Sequence, residues 1–138
     1  MLERDVILSK ISIIQNGLKT IKEATKLDPK TLEDTLMQDA FVLNIQRAVQ
    51  ACIDMANVVI SAKGFRLPTS YRESFKIIAK NKLIENATAD KMIKMVGFRN
   101  IAIHEYQEID INILKSILQD HLSDFEEFYS QIYKIEFD

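Results

Sequence analysis

Residues 41–59 read "FVLNIQRAVQACIDMANVV", and their spacing decides the fold. Phe41, Ile45, Ala48, Cys52, Met55 and Val59 recur at intervals of 4, 3, 4, 3 and 4. That rhythm places one apolar stripe along a helix, and no strand alternates this way. Cys52 lies inside the stripe, which reads as a buried filler rather than a nucleophile. Nearly opposite runs a polar row of Asn44, Arg47, Asp54, Asn57 and Ser61. Arg47 and Asp54 are seven residues apart, roughly 700° around a helix, and so share a face. The pattern predicts a helix over about 35–63, stopped by Gly64.

The same periodicity extends in both directions. Ile7, Ile11, Ile14, Leu18 and Ile21 form a seam that predicts a helix over about 3–24, ended by "KLDPK", where Pro29 disfavours helical geometry in the residue before it. After Pro68, Ser70 with Glu73 three residues on is a capping-box pattern for a short helix over about 70–80. Asn86 or Thr88 can cap a fourth helix over about 88–104. After the break "EYQEID", Asp110 caps a fifth running to about 134, with Leu114, Leu118, Phe125, Phe128 and Ile132 inward. No strand, repeat or low-complexity tract is visible. The expectation is all-α: one domain over 1–138, an up-and-down bundle of four main helices plus a short one.

Composition bounds the function. No apolar run approaches the roughly 18 residues needed to cross a bilayer. "MLERDVILSK" carries acids where a secretory leader would be basic, and one cysteine permits no internal disulfide, so a cytoplasmic chain is expected. One cysteine and two distant histidines give no zinc-type spacing, and no cofactor signature is present. The net charge of −2 hides an uneven distribution. Residues 63–99 hold nine basic side chains against three acidic, and residues 105–138 two against nine. The basic middle can attract a polyanion, or simply keep helix surfaces solvated.

That basic segment leads into "RNIAIHEY", residues 99–106. Arg99 is a permanent cation with a planar fork suited to phosphate oxygens. His104 can exchange a proton near neutral pH, and Tyr106 offers a hydroxyl just past the helix end. Arg99 and His104 are five apart, roughly 140° around a helix, so they would flank a phosphate rather than touch. Asn100 shares the face of His104. RNA cleavage by the ribose 2′-hydroxyl needs a base and a cation at the phosphate, which His104 and Arg99 can supply. The residue types alone also fit a histidine stabilised by a helix C-terminus and an arginine in an ion pair. His121 falls on an inward row and reads as partly buried. Tyr71, Tyr129 and Tyr133 read as structural, and Met92 and Met95 as core or interface filler.

The longer stretch "MVGFRNIAIHEYQEID" resembles the signature of HEPN-domain proteins, in which an arginine, four to six residues and a histidine form a ribonuclease motif. The tyrosine two residues after the histidine resembles the HepT toxins, which pair with minimal nucleotidyltransferase (MNT) antitoxins. "IQRAVQACIDMANVVI", "LPTSYRESF" and the five-helix order agree, so the resemblance spans nearly the whole chain. Its one departure, "IAI" before the histidine, is an apolar swap. The resemblance implies metal-independent RNA cleavage by Arg99 and His104, without a cofactor. It implies Tyr106 as acceptor of AMP from the antitoxin, and a homodimer facing a shared cleft, in which a second His104 supplies the acid. Asn100, with Asp54 or Arg47, would support the site or merely make internal hydrogen bonds. The rival readings are a non-catalytic substrate-binding or scaffold subunit of a nucleotidyltransferase, and a generic helical interaction module.

Overall fold

A computed structural model describes residues 2–137. α1 (Leu2–Thr25) lies along α2 (Thr35–Lys63), and the short α3 (Tyr71–Lys80) packs on α2 and α4 (Asn86–His104). α5 (Ile111–Ser116), a π-helical turn (Ile117–His121) and α6 (Leu122–Tyr133) follow as one rod, whose α6 part rests on α1, α2 and α4. The result is the expected all-α up-and-down bundle of four long rods and a short helix, with no strand among the described residues. α2 is the central post, which explains why its apolar surface is broader than one stripe. Besides the predicted seam it buries Val42, Val49, Ile53, Ala56 and Ile60.

The predicted seams are the core. Ile7, Ile11, Ile14, Leu18 and Ile21 of α1 are all buried, as are Leu114, Leu118, Phe125, Phe128 and Ile132 of the last rod. Met92 and Met95 are buried as well. Phe75 meets Phe128 edge-on, ring centroids 5.4 Å apart, tying α3 to α6. Cys52 is fully buried, and burial pushes its thiol pKa far up, which suits a filler and not a nucleophile. Among the described residues no helix is long and apolar enough to cross a membrane.

Helix ends follow local chemistry where that chemistry is local. Gly64 adopts φ +69° and its N–H reaches the carbonyls of Ile60 and Ser61, a left-handed stop that only glycine takes without strain. Ser70 accepts from the N–H of Glu73, while Glu73 returns to the N–H of Thr69 rather than Ser70. The Arg66 guanidinium beside Glu73 holds that carboxyl below its usual range. α1 stops at Thr25 through left-handed Lys26 and Leu27, before Pro29 acts; Pro29 instead opens a 3₁₀ turn (Pro29–Glu33) that seats Leu32 in the core.

Two expectations are corrected. α4 begins at Asn86, and neither Asn86 nor Thr88 caps it. Gln131 of α6 does so from outside: its Oε1 accepts the Glu85 N–H at 2.8 Å and its Nε2 donates to the buried Thr88 hydroxyl at 2.8 Å. The fifth helix is not uniformly α. The π turn inserts an extra residue, so the inward row passes from Leu118 to Leu122 and Phe125. His121 is displaced to the side, partly buried as expected, with its Nδ1 2.9 Å from the buried carboxylate of Asp124.

Candidate functional site

The last turns of α4 carry Arg99, Asn100 and His104, and the bundle gives each a different setting. Arg99 is half-buried. Its Nη2 donates to Gln50 Oε1 of α2 at 2.7 Å, and its guanidinium lies 5.2 Å from the centroid of the Tyr71 ring of α3. Gln50 Nε2 in turn donates to Asp54 Oδ1 at 2.9 Å, and Asp54 Oδ2 pairs with Lys10 Nζ of α1 at 2.9 Å. Four helices thus fix one guanidinium. The partner touching Arg99 is a neutral amide, and among the described residues no carboxylate pairs with it. Its positive charge remains available to an incoming anion while its direction is set.

Beside this cation an open cleft of about 710 Å³ runs between α3 and α4. Tyr71, Arg72, Ser74, Asn57, Val96 and Asn100 line it. Ser74 is buried and donates to Asn57 Oδ1 at 2.8 Å, so the floor of the cleft is already ordered. Asn100 is exposed on its rim. The Arg72 guanidinium lies against Gly97 of α4. Of the basic middle segment, Arg66 is engaged by Glu73 and Lys91 by Glu127, whereas Arg72, which lines the cleft, and Arg99, behind the Tyr71 ring of its wall, have no carboxylate partner among the described residues.

His104 is the last residue of α4, exposed, and its side chain has no hydrogen-bond partner among the described residues. The helix is regular from Arg99 to His104, so their side chains leave it in directions roughly 140° apart. Tyr106 opens a 3₁₀ turn (Tyr106–Glu108) after the helix break at Glu105. It is 40 % exposed, and its hydroxyl donates to the carboxylate of Asp39 on α2. Desolvation first, then the hydrogen bond and charge of Asp39, push the phenol pKa up to about 12.

Of the polar row on α2, Asp54 reaches Arg99 through Gln50, while Arg47 stays exposed and outside this network. Tyr71, read as structural, forms a wall of the cleft and lies under the Arg99 guanidinium. Gln50 and Asp39 were not singled out by the sequence. For Gln50 a signal existed: glutamine four residues before aspartate on a helix is a hydrogen-bonding pair. For Asp39, which meets its partner 67 residues away, none did.

A sequence model of the family described as Ribonuclease HepT-like matches residues 14–132. The chain belongs to the ribonuclease HepT-like family. A HepT-like identity extends to individual relatives. The mRNA nuclease HepT of Shewanella oneidensis is 40 % identical over 128 residues, covering 93 % of this chain and 96 % of that protein. The solved tri-AMPylated HEPN toxin of Shewanella oneidensis, in complex with MNT antitoxin, superposes with a TM-score of 0.88 at 40 % identity, covering 93 % and 96 % of the two chains. A toxin–antitoxin structure with AMP-PNP gives the same TM-score at 39 % identity, covering 93 % and 97 %. The span matched to this HepT-like family contains Gln50, Asp54, Tyr71, Arg99, His104 and Tyr106; Lys10, the outer anchor, lies before it.

Proposed function

We propose that this chain is the toxin of a HEPN/MNT toxin–antitoxin pair, a metal-independent RNA endonuclease acting as one domain in the cytoplasm. The observation that carries the reading is Arg99, a cation held by Gln50 and Tyr71, unneutralised by any described carboxylate, five residues before an exposed histidine on the same helix. His104 takes the proton of a ribose 2′-hydroxyl as that oxygen attacks the adjacent phosphorus. Arg99 donates to the non-bridging oxygens, where charge builds in the transition state. The 5′-oxygen leaves with the bonding pair and needs a proton. One histidine cannot be base and acid in the same step, so a homodimer whose two His104 side chains face a common cleft completes the chemistry. Arg72 and Asn100 extend the phosphate-binding surface along the cleft. Arg47, exposed and unengaged among the described residues, is available to a neighbouring phosphate.

An MNT-type antitoxin silences the chain by attaching AMP to Tyr106. The tri-AMPylated HEPN toxin among the structural neighbours supports this reading. A phosphodiester on Tyr106 places a bulky anion near the end of the helix that carries Arg99, where it competes with RNA phosphate. A non-catalytic scaffold for a nucleotidyltransferase leaves the four-helix anchoring of an unneutralised arginine without a purpose. Expression in cells without the antitoxin is the test. Wild type arrests growth and Arg99→Ala and His104→Ala do not; arrest by a folded His104→Ala chain contradicts the assignment.

A further inference from the structure

Tyr106 donates its phenolic proton to Asp39, and no other tyrosine hydroxyl hydrogen-bonds a carboxylate among the described residues. We propose that Asp39 is the proton acceptor that this chain supplies for its own modification at Tyr106. The inference rests on the reading of Tyr106 as the AMP acceptor.

The chemistry requires such a group. A phenol must lose its proton as its oxygen bonds to phosphorus. With the pKa of Tyr106 near 12, about one molecule in 10⁵ is ionised at pH 7. Waiting for spontaneous ionisation is therefore a poor route, and the proton must leave as the new bond forms. A carboxylate already hydrogen-bonded to the phenol is placed for that transfer, because the phenol acidifies as its oxygen gains the phosphorus. Among the described residues Asp39 has no other hydrogen-bond or ion-pair partner. It is exposed, and the N-terminus of α2 is capped by Asp34 instead. A surface carboxylate–phenol contact adds little stability.

The step balances with ATP as co-reactant, presented with its magnesium by the antitoxin. The Tyr106 oxygen bonds to the α-phosphorus, and the bond from that phosphorus to the β-bridging oxygen breaks. Pyrophosphate leaves with the electron pair, and Asp39 takes the proton and passes it to water. The product no longer has a proton to donate, and its phosphodiester repels the Asp39 carboxylate. Modification thereby detaches Tyr106 from α2.

Asp39→Asn separates base from holder, since its amide oxygen still accepts from the phenol but takes no proton. Single-turnover AMP transfer is measured on the unmodified chain with saturating antitoxin and Mg–ATP. Wild type gives a rate nearly flat from about pH 6 to about pH 9, and Asp39→Asn is slower by about 100-fold at neutral pH, recovering about tenfold per pH unit. Asp39→Ala behaves like Asp39→Asn, and both variants cleave RNA like wild type. A wild-type rate and flat profile for Asp39→Asn overturn the proposal, as does loss in Asp39→Ala rescued by Asp39→Asn, which marks a mere holder. Loss of RNA cleavage in either folded variant also overturns it, by assigning Asp39 to the RNA site. Absence of AMP from Tyr106 of the wild type instead removes the modification reading itself.

Discussion

Gln50→Met tests whether the helical scaffold aims Arg99 or merely surrounds it. The substitution keeps the length of the side chain and removes both polar contacts, the 2.7 Å bond from Arg99 and the 2.9 Å bond to Asp54. A hydrogen bond involving a charged partner contributes about 1.5–3 kcal/mol. Water replaces part of it at this half-exposed position, and the Tyr71 ring retains about 0.5–1 kcal/mol of hold on the guanidinium. The transition state therefore loses about 1–2 kcal/mol, a fall in kcat/KM of roughly 5- to 30-fold. Folding stability changes by less than about 1 kcal/mol, because Asp54 keeps its ion pair with Lys10. The assay is cleavage of an RNA oligonucleotide in EDTA beside a urea melt of each variant. In an Arg99→Ala background Gln50→Met should have no further effect, since the two act through one interaction. Wild-type kcat/KM for Gln50→Met refutes the positioning argument. So does an undiminished loss in the Arg99→Ala background.

Alkaline titration followed by the tyrosinate ultraviolet band should show Tyr106 ionising near pH 12, above its ordinary value of 10, and Asp39→Asn should bring it down. Because the folded-state pKa is raised, the stabilisation linked to this group is complete below about pH 10 and lost as pH rises toward 12; Tyr106→Phe removes that component, and a Tyr106 that titrates near 10 contradicts it. Phe128→Ala removes a fully buried ring packed edge-on against Phe75 and should lower stability by about 3–5 kcal/mol in urea; a loss under about 1 kcal/mol would mean this contact does not hold α3 to α6.

Features set by neighbouring residues were legible in the sequence. The seams of α1 and α2, the Ser70 and Asp110 caps and the Gly64 stop depend on spacings of three or four residues. Features set across the bundle were not. The start of α4 depends on Gln131, 46 residues from Glu85, and no spacing in the sequence marks the π turn. The candidate site divides the same way. Arg99, His104 and Tyr106 stand out as a compact motif at a helix end. What holds them comes from elsewhere: Gln50 lies 49 residues from Arg99, and Asp39 lies 67 from Tyr106. Tyr71 reads as structural from its amphipathic pattern, which says nothing of the arginine that the fold lays over its ring. Arg47 and Asp54 share a helix face, yet the position of Lys10 and Gln50 draws only Asp54 into the network.

The central claim is that Arg99 and His104 cleave RNA without a metal. The direct measurement is cleavage of purified RNA in EDTA by the unmodified chain, comparing wild type with Arg99→Ala and His104→Ala of matched thermal stability. Wild type should cut, leaving 2′,3′-cyclic phosphate ends, and each variant should lose at least about 100-fold in rate. A stable His104→Ala protein that cuts at the wild-type rate, or a wild type that cuts only when a divalent cation is restored, contradicts the mechanism.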